Sequence, residues 1–331
     1  MWFDRLTTLS GLRPSSAECL VEGKAKGGKW SHWLALLTAA ATFPLLFIGG
    51  LVTSKGAGLA VPDWPTTFGY NMFLYPWSKM IGDVFYEHSH RLVASGVGLL
   101  TILLALSLWL HERRSWVRRL GVAALAMVVV QGILGGLRVV WIDEIMAIVH
   151  GCLAQAFFAL TVGLALFTSR EWAEEPRRVE LPDAARLQRL CVLTTGLIYL
   201  QGIFGAVLRF TGSGLSLHLL FAGLVALHAA LLSARILKLL PGERKLFFPA
   251  VLLAGLLLAQ LALGLGSYLA KFTSLGSSLP GWATVLLTTG HVVTGALMLV
   301  TSLALTLRSY RLLAEPDSSL RQGLLAEQLT L

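Results

Sequence analysis

Eight apolar stretches, each about 20 residues long, constrain this chain more than any other feature of its sequence. A helix of that length spans the hydrocarbon core of a bilayer, where only helices and closed barrels satisfy their backbone hydrogen bonds. The mean hydropathy of +0.71 and the 14% share of charged residues exclude an ordinary soluble domain. The sequence therefore predicts an all-α polytopic membrane protein. Its eight transmembrane helices are expected near residues 32–52, 89–110, 120–140, 145–168, 188–208, 215–237, 246–268 and 283–305.

Lys and Arg are concentrated on one side of the predicted membrane. Only six of the 27 fall on the other side, namely Lys55, Lys79, Arg91, Arg138, Arg209 and Lys271. Because basic residues are retained in the cytoplasm, both termini are predicted to be cytoplasmic, in a bacterial inner membrane. Residues 1–29 lack the apolar core and cleavage site of a signal peptide, so the first span is expected to be retained. The net charge of +9 then reflects topology and contact with anionic lipid, and nucleic acid is not an expected partner.

Four histidines begin the inward-going helices at a common depth. His90, His150, His218 and His291 precede the next cytoplasm-side Arg by 23, 20, 17 and 17 residues. This spacing places them roughly 25–35 Å from the cytoplasmic face and so near the outer one. An ionisable residue within a span costs about 2.5–3.5 kcal/mol on insertion scales, so four at one depth are difficult to explain as packing. Paired imidazoles bind haem iron, and we predict the pairs His90 with His150 and His218 with His291. His228, nearer the cytoplasmic face, stays an alternative to His218.

The helices that precede these histidines end in a repeated pattern of Gln and small residues. Residues 131–138 read QGILGGLR, and residues 201–209 read QGIFGAVLR. Small residues let membrane helices approach closely, and they also leave room for a flat macrocycle. Arg138 and Arg209 at these helix ends either extend to the interface or contact haem propionates, and both alternatives stay open. The repeat predicts two pseudo-symmetric four-helix bundles.

The loop lengths divide the chain into five parts. These are a cytoplasmic segment 1–31, an N-terminal bundle 32–168, a charged cytoplasmic linker 169–187, a C-terminal bundle 188–305 and a cytoplasmic tail 306–331. The N-terminal bundle includes a long outer loop, residues 53–86, which has no counterpart in the second bundle and is predicted to form a lid. Cys19, Cys152 and Cys191 fall in a cytoplasmic segment and inside two helices, so no structural disulfide is predicted.

Glu87 adds candidate chemistry to the first bundle. It lies three residues before His90, hence on the same helix face, where it would overhang a haem bound to His90. A favourable interaction with the helix macrodipole explains an acid at this position equally well. His88 points about 200° away from His90 on a helix and is not expected to bind the same group.

At these residues the chain resembles the haem A synthase family, whose members oxidise the C8 methyl group of haem O to a formyl group. The resemblance rests on residues 56–60 (GAGLA) running into residues 62–65 (PDWP), and on residues 87–91 as the family's Glu-x-x-His-Arg. It continues through residues 150–155 and from Arg209 to the last histidine, and so covers nearly the whole membrane region.

The resemblance implies a role for each bundle. The N-terminal bundle would hold haem O as substrate, and haem A as product, between His90 and His150, with Glu87 as the catalytic carboxylate. The C-terminal bundle would hold a resident haem b between the other two histidines. Cofactor contacts are expected from Arg91, Arg138 and Arg209. The implied partners are haem O synthase, terminal oxidase assembly, the lipid membrane and an electron acceptor of unknown identity. The oligomeric state is open between monomer and homo-oligomer.

This chain also departs from the family pattern, and other function classes stay open. Many bacterial relatives flank the PDWP segment with a cysteine pair, where this chain has Val61 and Thr66. A redox disulfide in that loop is therefore not expected here. The sixth span lacks a His-Arg pair, which keeps His228 open as a ligand. The alternatives are a dihaem b-type electron carrier, which expects histidines at two depths, and a non-catalytic haem-binding transporter or assembly factor.

Overall fold

Eight long helices dominate the computed structural model, which describes residues 29–316. All eight are long and apolar enough to cross a membrane, which confirms the predicted all-α membrane protein. They are α1 (Lys29–Ser54), α2 (Asp83–His111), α3 (Ser115–Trp141), α4 (Glu144–Phe167), α6 (Ala184–Thr211), α7 (Leu215–Leu239), α8 (Arg244–Phe272) and α9 (Gly281–Leu312). A short helix, α5 (Arg170–Ala173), separates the first four from the last four.

The helices extend beyond the apolar stretches from which they were predicted. The helix α2 begins at Asp83 rather than near residue 89, and α9 continues to Leu312. The 32 residues of α9 measure about 48 Å, well above the thickness of the hydrocarbon core. Hydropathy marks only the depth of the lipid tails, whereas helical hydrogen bonding continues into the polar interface.

The helices pack in two sequential groups. In the first group α1 packs against α2 and α4, and α3 packs against α2 and α4. In the second group α6 packs against α7 and α9, and α8 packs against α7 and α9. Each group has its own apolar core, around Leu104 and Leu164 in the first and Leu232 and Leu253 in the second. The groups meet through α1 with α9 and α4 with α6 and α9. That they arose by duplication, with a pseudo-symmetric arrangement, stays a prediction.

The segment between the groups is held against the end of α9. Strand β3 (Val179–Glu180) pairs in parallel with β4 (Leu313–Ala314). Arg308 of α9 forms an ion pair with Glu171 at 3.1 Å. Because α6 begins at Ala184, the segment is shorter than the predicted linker 169–187.

The terminal predictions fall largely outside the described residues. Residues 1–28 and 317–331 are not described, and these include most of the predicted cytoplasmic segment 1–31, much of the tail 306–331, and Cys19. The other two cysteines, Cys152 and Cys191, are free thiols.

The long outer loop has a structure of its own. It runs from residue 55 to residue 82, because α1 and α2 take up the ends of the predicted segment 53–86. Strands β1 (Thr66–Thr67) and β2 (Tyr70–Asn71) form a small hairpin. Two 3-10 turns follow, over Met72–Leu74 and Trp77–Lys79. This loop, called the lid below, lies between α1 and α2 in the chain and contacts α2 and α3.

Candidate functional site

Each of the four predicted histidines packs against a glycine of the helix that precedes it in the chain. A β-carbon added at any of these glycines would lie 3.0–3.3 Å from Cε1 of the imidazole. The pairs are Gly49 with His90, Gly135 with His150, Gly205 with His218 and Gly264 with His291. Only a residue without a side chain lets each helix approach the ring this closely. The four helix pairs therefore share one local construction, in which the glycine seats the imidazole.

Glutamine supports three of these four histidines. Gln131 donates from Nε2 to the backbone oxygen of His150 at 3.1 Å, and Gln201 donates to that of His218 at 2.9 Å. Gln260 Nε2 lies 3.4 Å from Nε2 of His291. In each helix the glutamine precedes the glycine by four residues, one helical turn. The sequence repeat shows these glutamines, but their hydrogen-bond partners become evident only in the structure.

The corresponding position of the first helix pair is apolar. Leu45 lies four residues before Gly49, so no carboxamide supports His90 from α1. The four pairs therefore share the glycine but differ in the polar support of the ring.

The rings of His218 and His291 face each other in the second group. Their centroids lie 6.3 Å apart, with an interplanar angle of 73°. Two imidazoles on opposite sides of one metal ion place their centroids about 6 Å apart, since a metal–nitrogen bond is about 2 Å and the ring adds about 1 Å. His228 instead places Nδ1 2.8 Å from the carbonyl oxygen of Leu224 in its own helix. The separation of the two ring centroids is thus close to that of two imidazoles bound to one metal ion.

The histidines of the first group, His90 and His150, are both partly buried, and each packs on its glycine. Nδ1 of His90, His150 and His291 is buried without a hydrogen-bond partner among the described residues. Such orphaned buried atoms are rare in proteins. Within residues 29–316 no three His, Cys, Asp or Glu side chains form a metal-binding cluster. Paired imidazoles without a third ligand fit haem iron better than zinc.

Glu87 is buried near the N-terminal end of α2 and is held from two sides. It is 4% exposed, and it forms an ion pair with Arg91 at 2.8 Å. Its other carboxylate oxygen accepts a hydrogen bond from the backbone N–H of Val61 in the lid, at 2.9 Å. The candidate catalytic carboxylate is thus fixed between α2 and the lid.

Arg91 attaches the lid to α2. Its guanidinium donates hydrogen bonds to the carbonyl oxygens of Val61, Asp63 and Thr66, at 3.1, 2.7 and 3.0 Å. With the ion pair to Glu87, these bonds engage Arg91 in lid structure. Its predicted contact with a cofactor stays a prediction.

His88 also contacts the lid, a function that the sequence did not suggest. Its ring lies 3.1 Å, through Nδ1, from Oγ1 of Thr67 and packs against Tyr75 with the centroids 5.1 Å apart. The side of α2 that carries His88 points away from His90 and toward the lid. The ring of His88 is 1% exposed and therefore helps to hold the lid against α2.

Asp63 orders the hairpin of the lid. Its carboxylate accepts hydrogen bonds from the backbone N–H groups of Phe68 and Gly69, at 2.7 and 2.8 Å, and from the hydroxyl of Thr66. Desolvation acts to raise the pKa of Asp63, but these hydrogen bonds outweigh it and hold the pKa below the ordinary value of 3.8. The hairpin is thus stabilised by an ionised carboxylate.

The C-terminal end of α3 completes the contact with the lid. A β-carbon at Gly136 would collide with the ring of Trp64, and one at Gly58 would collide with the guanidinium of Arg138. The lid therefore rests directly on α3 through Trp64 and on the side chain of Arg138. Both contacts place it over the first group of helices.

The two predicted propionate contacts, Arg138 and Arg209, lie where the groups of helices meet. Arg209 of α6 donates to the carbonyl oxygen of Gly50 at 2.9 Å and to the hydroxyl of Ser54 at 2.8 Å, both on α1. The guanidinium of Arg138 lies over the ring of Phe210 on α6, 5.8 Å from its centroid. Each arginine therefore links its own group of helices to the other. Their contact with propionates stays a prediction.

The same junction brings α9 close to α1. A β-carbon at Gly50 would lie 3.1 Å from Cγ2 of Thr289, and Thr289 donates to Ser54 at 2.9 Å. The neighbouring residues Gly49 and Gly50 thus contact His90 and α9 respectively.

Comparison with known proteins identifies the family of this chain. Residues 32–217 match the model of a family described as cytochrome oxidase assembly protein. A heme A synthase of Shouchella clausii is 30% identical over 186 residues, 54% of this chain and 57% of the relative. Heme A synthases of Staphylococcus haemolyticus and Methylobacterium radiotolerans are 28% and 26% identical, over 56% and 58% of this chain and 60% and 59% of theirs. The matched region thus spans less than two thirds of these relatives. Since the family model covers more than half of the sequence, including Glu87, His90 and His150, the chain belongs to the cytochrome oxidase assembly protein family, and the resemblance to haem A synthases is confirmed.

Proposed function

We propose that this protein is a haem A synthase, which oxidises the C8 methyl group of haem O to a formyl group within the membrane. The observation that carries the proposal is the position of Glu87, buried three residues before His90 on α2 and beneath a lid fastened by Arg91. The alternatives of an electron carrier or a haem transporter require no such enclosed carboxylate. Its enclosure favours chemistry on a bound substrate over passage of electrons or cargo.

The substrate haem O would lie between His90 and His150. Each ring packs on a glycine of a neighbouring helix, and the orphaned Nδ1 atoms leave these imidazoles incompletely engaged by protein groups. The lid excludes bulk water through Trp64 on Gly136 and through the hydrogen bonds of Arg91. An enclosed site strengthens the electrostatic effect of every charge inside it.

The reaction would proceed by two hydroxylations of the methyl carbon. Each hydroxylation takes one oxygen from water and releases two electrons and two protons, and the resulting gem-diol loses water to give the aldehyde. Glu87 can accept a proton released at the methyl carbon or stabilise positive charge that develops there. Arg91 and the N–H of Val61 position this carboxylate, and an electron acceptor of unidentified class receives the electrons.

A resident haem b would lie between His218 and His291, whose separation of 6.3 Å supports this assignment. When bound, it supplies one-electron redox chemistry. Gln201 fixes the position of His218 through the hydrogen bond of its Nε2 to the backbone oxygen of His218 at 2.9 Å.

The cellular setting follows from the relatives and from the charge distribution. We propose that the protein lies in a bacterial inner membrane with both termini in the cytoplasm and the haem sites toward the outer face. Haem O synthase would supply the substrate, and assembly of a terminal oxidase would consume the product.

The test is Glu87→Gln in membranes that also contain a haem O synthase. We expect normal haem loading but a loss of formyl haem of about 100-fold or more, the usual range for removal of a general base. Extracted haem would be identified by mass and chromatographic retention.

The matched control is Glu112→Gln at the other end of the same helix. Glu112 is also buried, 9% exposed, and paired with an arginine, Arg114, at 2.8 Å. It should retain formyl haem production. Full production of formyl haem by Glu87→Gln would exclude Glu87 from catalysis. Unmodified haem alone in a parent protein that is fully loaded with haem would reject the proposed synthase activity.

A further inference from the structure

A basic cleft lies between α8 and α9, at the end of the molecule predicted to face the cytoplasm. It has a volume of about 520 Å³. Three cationic and three apolar residues line it: Arg244, Lys245, Arg308, Phe248, Pro249 and Leu252. The cleft lies at the opposite end of the helices from the histidines and takes no part in the proposed reaction.

A proline in α8 creates the floor of the cleft. Pro249 has no N–H, so the carbonyl oxygen of Lys245, four residues earlier, loses its helical hydrogen bond. Arg308 of α9 replaces that bond, with Nη1 donating to the same oxygen at 3.1 Å. The helix defect thereby fixes a guanidinium between the two helices, with 19% of the Arg308 side chain exposed.

The cleft keeps a surplus of positive charge. Glu171 is the carboxylate paired with it among the described residues, at 3.1 Å from Arg308 and 3.8 Å from Lys245 Nζ. Glu171 is shared by Lys245 and Arg308, and Arg244 forms no ion pair within residues 29–316. The site is therefore suited to an additional anion.

The apolar wall of the cleft shows what kind of anion fits. Arg244, Phe248 and Leu252 follow each other at intervals of four residues, so they form one stripe along α8. Phe248 is 60% exposed and Leu252 is 53% exposed. Leu252 lies about 12 Å below Arg244 along the helix, at the depth of acyl chains when Arg244 is at the depth of headgroups. The stripe thus runs from a cation to apolar side chains, which matches the phosphate and the acyl chain of an anionic lipid.

We propose that this cleft binds an anionic phospholipid of the phosphatidylglycerol class, with its phosphate at Arg244, Lys245 and Arg308 and its acyl chain along Phe248 and Leu252. Basic clefts between transmembrane helices are a known means of binding anionic headgroups. A free phosphate ion would use the cations but would gain nothing from the apolar wall. A zwitterionic lipid would use the wall but would not neutralise the surplus charge.

The test compares the full chain with the variant Arg244→Gln/Lys245→Gln in phosphatidylcholine nanodiscs titrated with phosphatidylglycerol. Retained lipid would be counted by native mass spectrometry. Each basic residue near an anionic lipid contributes about fivefold, so we expect about 25-fold weaker binding of phosphatidylglycerol. Unchanged phosphatidylcholine binding is expected in both proteins. Full phosphatidylglycerol binding by the variant would overturn the proposal.

Two further variants distinguish a lipid site from a diffuse charge effect and from a small-anion site. Arg186→Gln/Arg189→Gln removes two exposed cations of α6 that lie at the same predicted membrane face as the cleft. It should change phosphatidylglycerol binding less than twofold. An equal loss in this control would show a diffuse charge effect and reject the cleft. Phe248→Ser should weaken phosphatidylglycerol binding severalfold. Displacement of the bound lipid by inorganic phosphate at physiological concentration, with no effect of Phe248→Ser, would reassign the cleft to a small anion.

Discussion

The first and second groups of helices use the same seat for their histidines and surround it differently. In both, a glycine of one helix accepts the imidazole of the next, so closely that an added β-carbon would lie 3.0–3.3 Å from the ring. Only the first group has a lid, a buried ion pair of Glu87 with Arg91, and an apolar residue, Leu45, in place of a supporting glutamine. In the second group three residues, Gly212 to Gly214, connect α6 to α7.

This difference teaches which features hold a haem and which act on one. A histidine seated on a glycine of the preceding helix occurs twice in each group, and in the proposed function these histidines hold the haems. Among the described residues, the carboxylate of Glu87 and the lid that covers it belong to the first group, which is where the proposed oxidation would take place. In the second group both histidines have a glutamine of the preceding helix beside them, Gln201 at His218 and Gln260 at His291, whereas in the first group His150 has Gln131 and His90 has Leu45 at the corresponding position.

The largest expected effect comes from removing one ligand in each group. His90→Ala should reduce formyl haem at least about 100-fold while the second group keeps its bis-imidazole haem, since even supporting residues of metal ligands contribute 10–100-fold. His218→Ala should remove the second haem and leave haem bound in the first group. Optical and electron paramagnetic resonance spectra of the two variants would distinguish the sites.

The control for these variants is His228→Ala, also in α7. Because His228 places Nδ1 against Leu224 of its own helix, this substitution should leave both haem spectra unchanged. If His228→Ala rather than His218→Ala removed the second haem, the pairing of His218 with His291 would be wrong.

A smaller effect is expected from filling the seat of one histidine. Gly205→Ala places a β-carbon 3.1 Å from the ring of His218, so we expect about tenfold weaker haem binding in the second group only. Gly202→Ala, one turn earlier, meets no atom within 4 Å and is the matched control. Haem titration of the two variants measures the difference, and equal affinities would show that the ring does not need the glycine.

The smallest effect concerns the pH dependence of the lid, which only the first group has. The depressed pKa of Asp63 means that its carboxylate stabilises the hairpin fully above pH 3.8 and loses this effect as the pH falls through the lower folded value. Hydrogen exchange of residues 66–71, corrected for its intrinsic pH dependence, should be constant from pH 7 to about pH 5 and increase below about pH 4.

Asp63→Asn should give faster exchange in the hairpin at all these pH values, with no step near pH 4. Asp83→Asn, an exposed acid at the start of α2, is the control and should keep the step. A step that persists in Asp63→Asn would assign the titration to another group.

The sequence predicted the helices well and the contacts between distant segments poorly. The apolar stretches identify all eight spans because hydrocarbon excludes almost every other backbone structure. The position of the histidines near one end of their helices also follows from simple counting. The hairpin of the lid depends on Arg91 and Asp63 binding backbone atoms, and no periodicity in the sequence reports such bonds.

Other features required knowledge of how the helices rotate against each other. The choice of His218 over His228 as the ring facing His291 depends on the orientation of α7, which depth alone does not determine. The sequence indicates that His88 points away from His90, and this same direction brings His88 to Thr67 of the lid. The predicted linker gave no sign that Glu171 would pair with Arg308, since ion pairs across 137 residues leave no local pattern.

The adjoining glycines at the end of α1 make that helix a joint between the two groups. Gly49 contacts His90, and Gly50 contacts Thr289, two residues before His291. Because α9 packs on α1 next to the helix surface that seats His90, a substitution at Gly50 should affect both groups of helices at once.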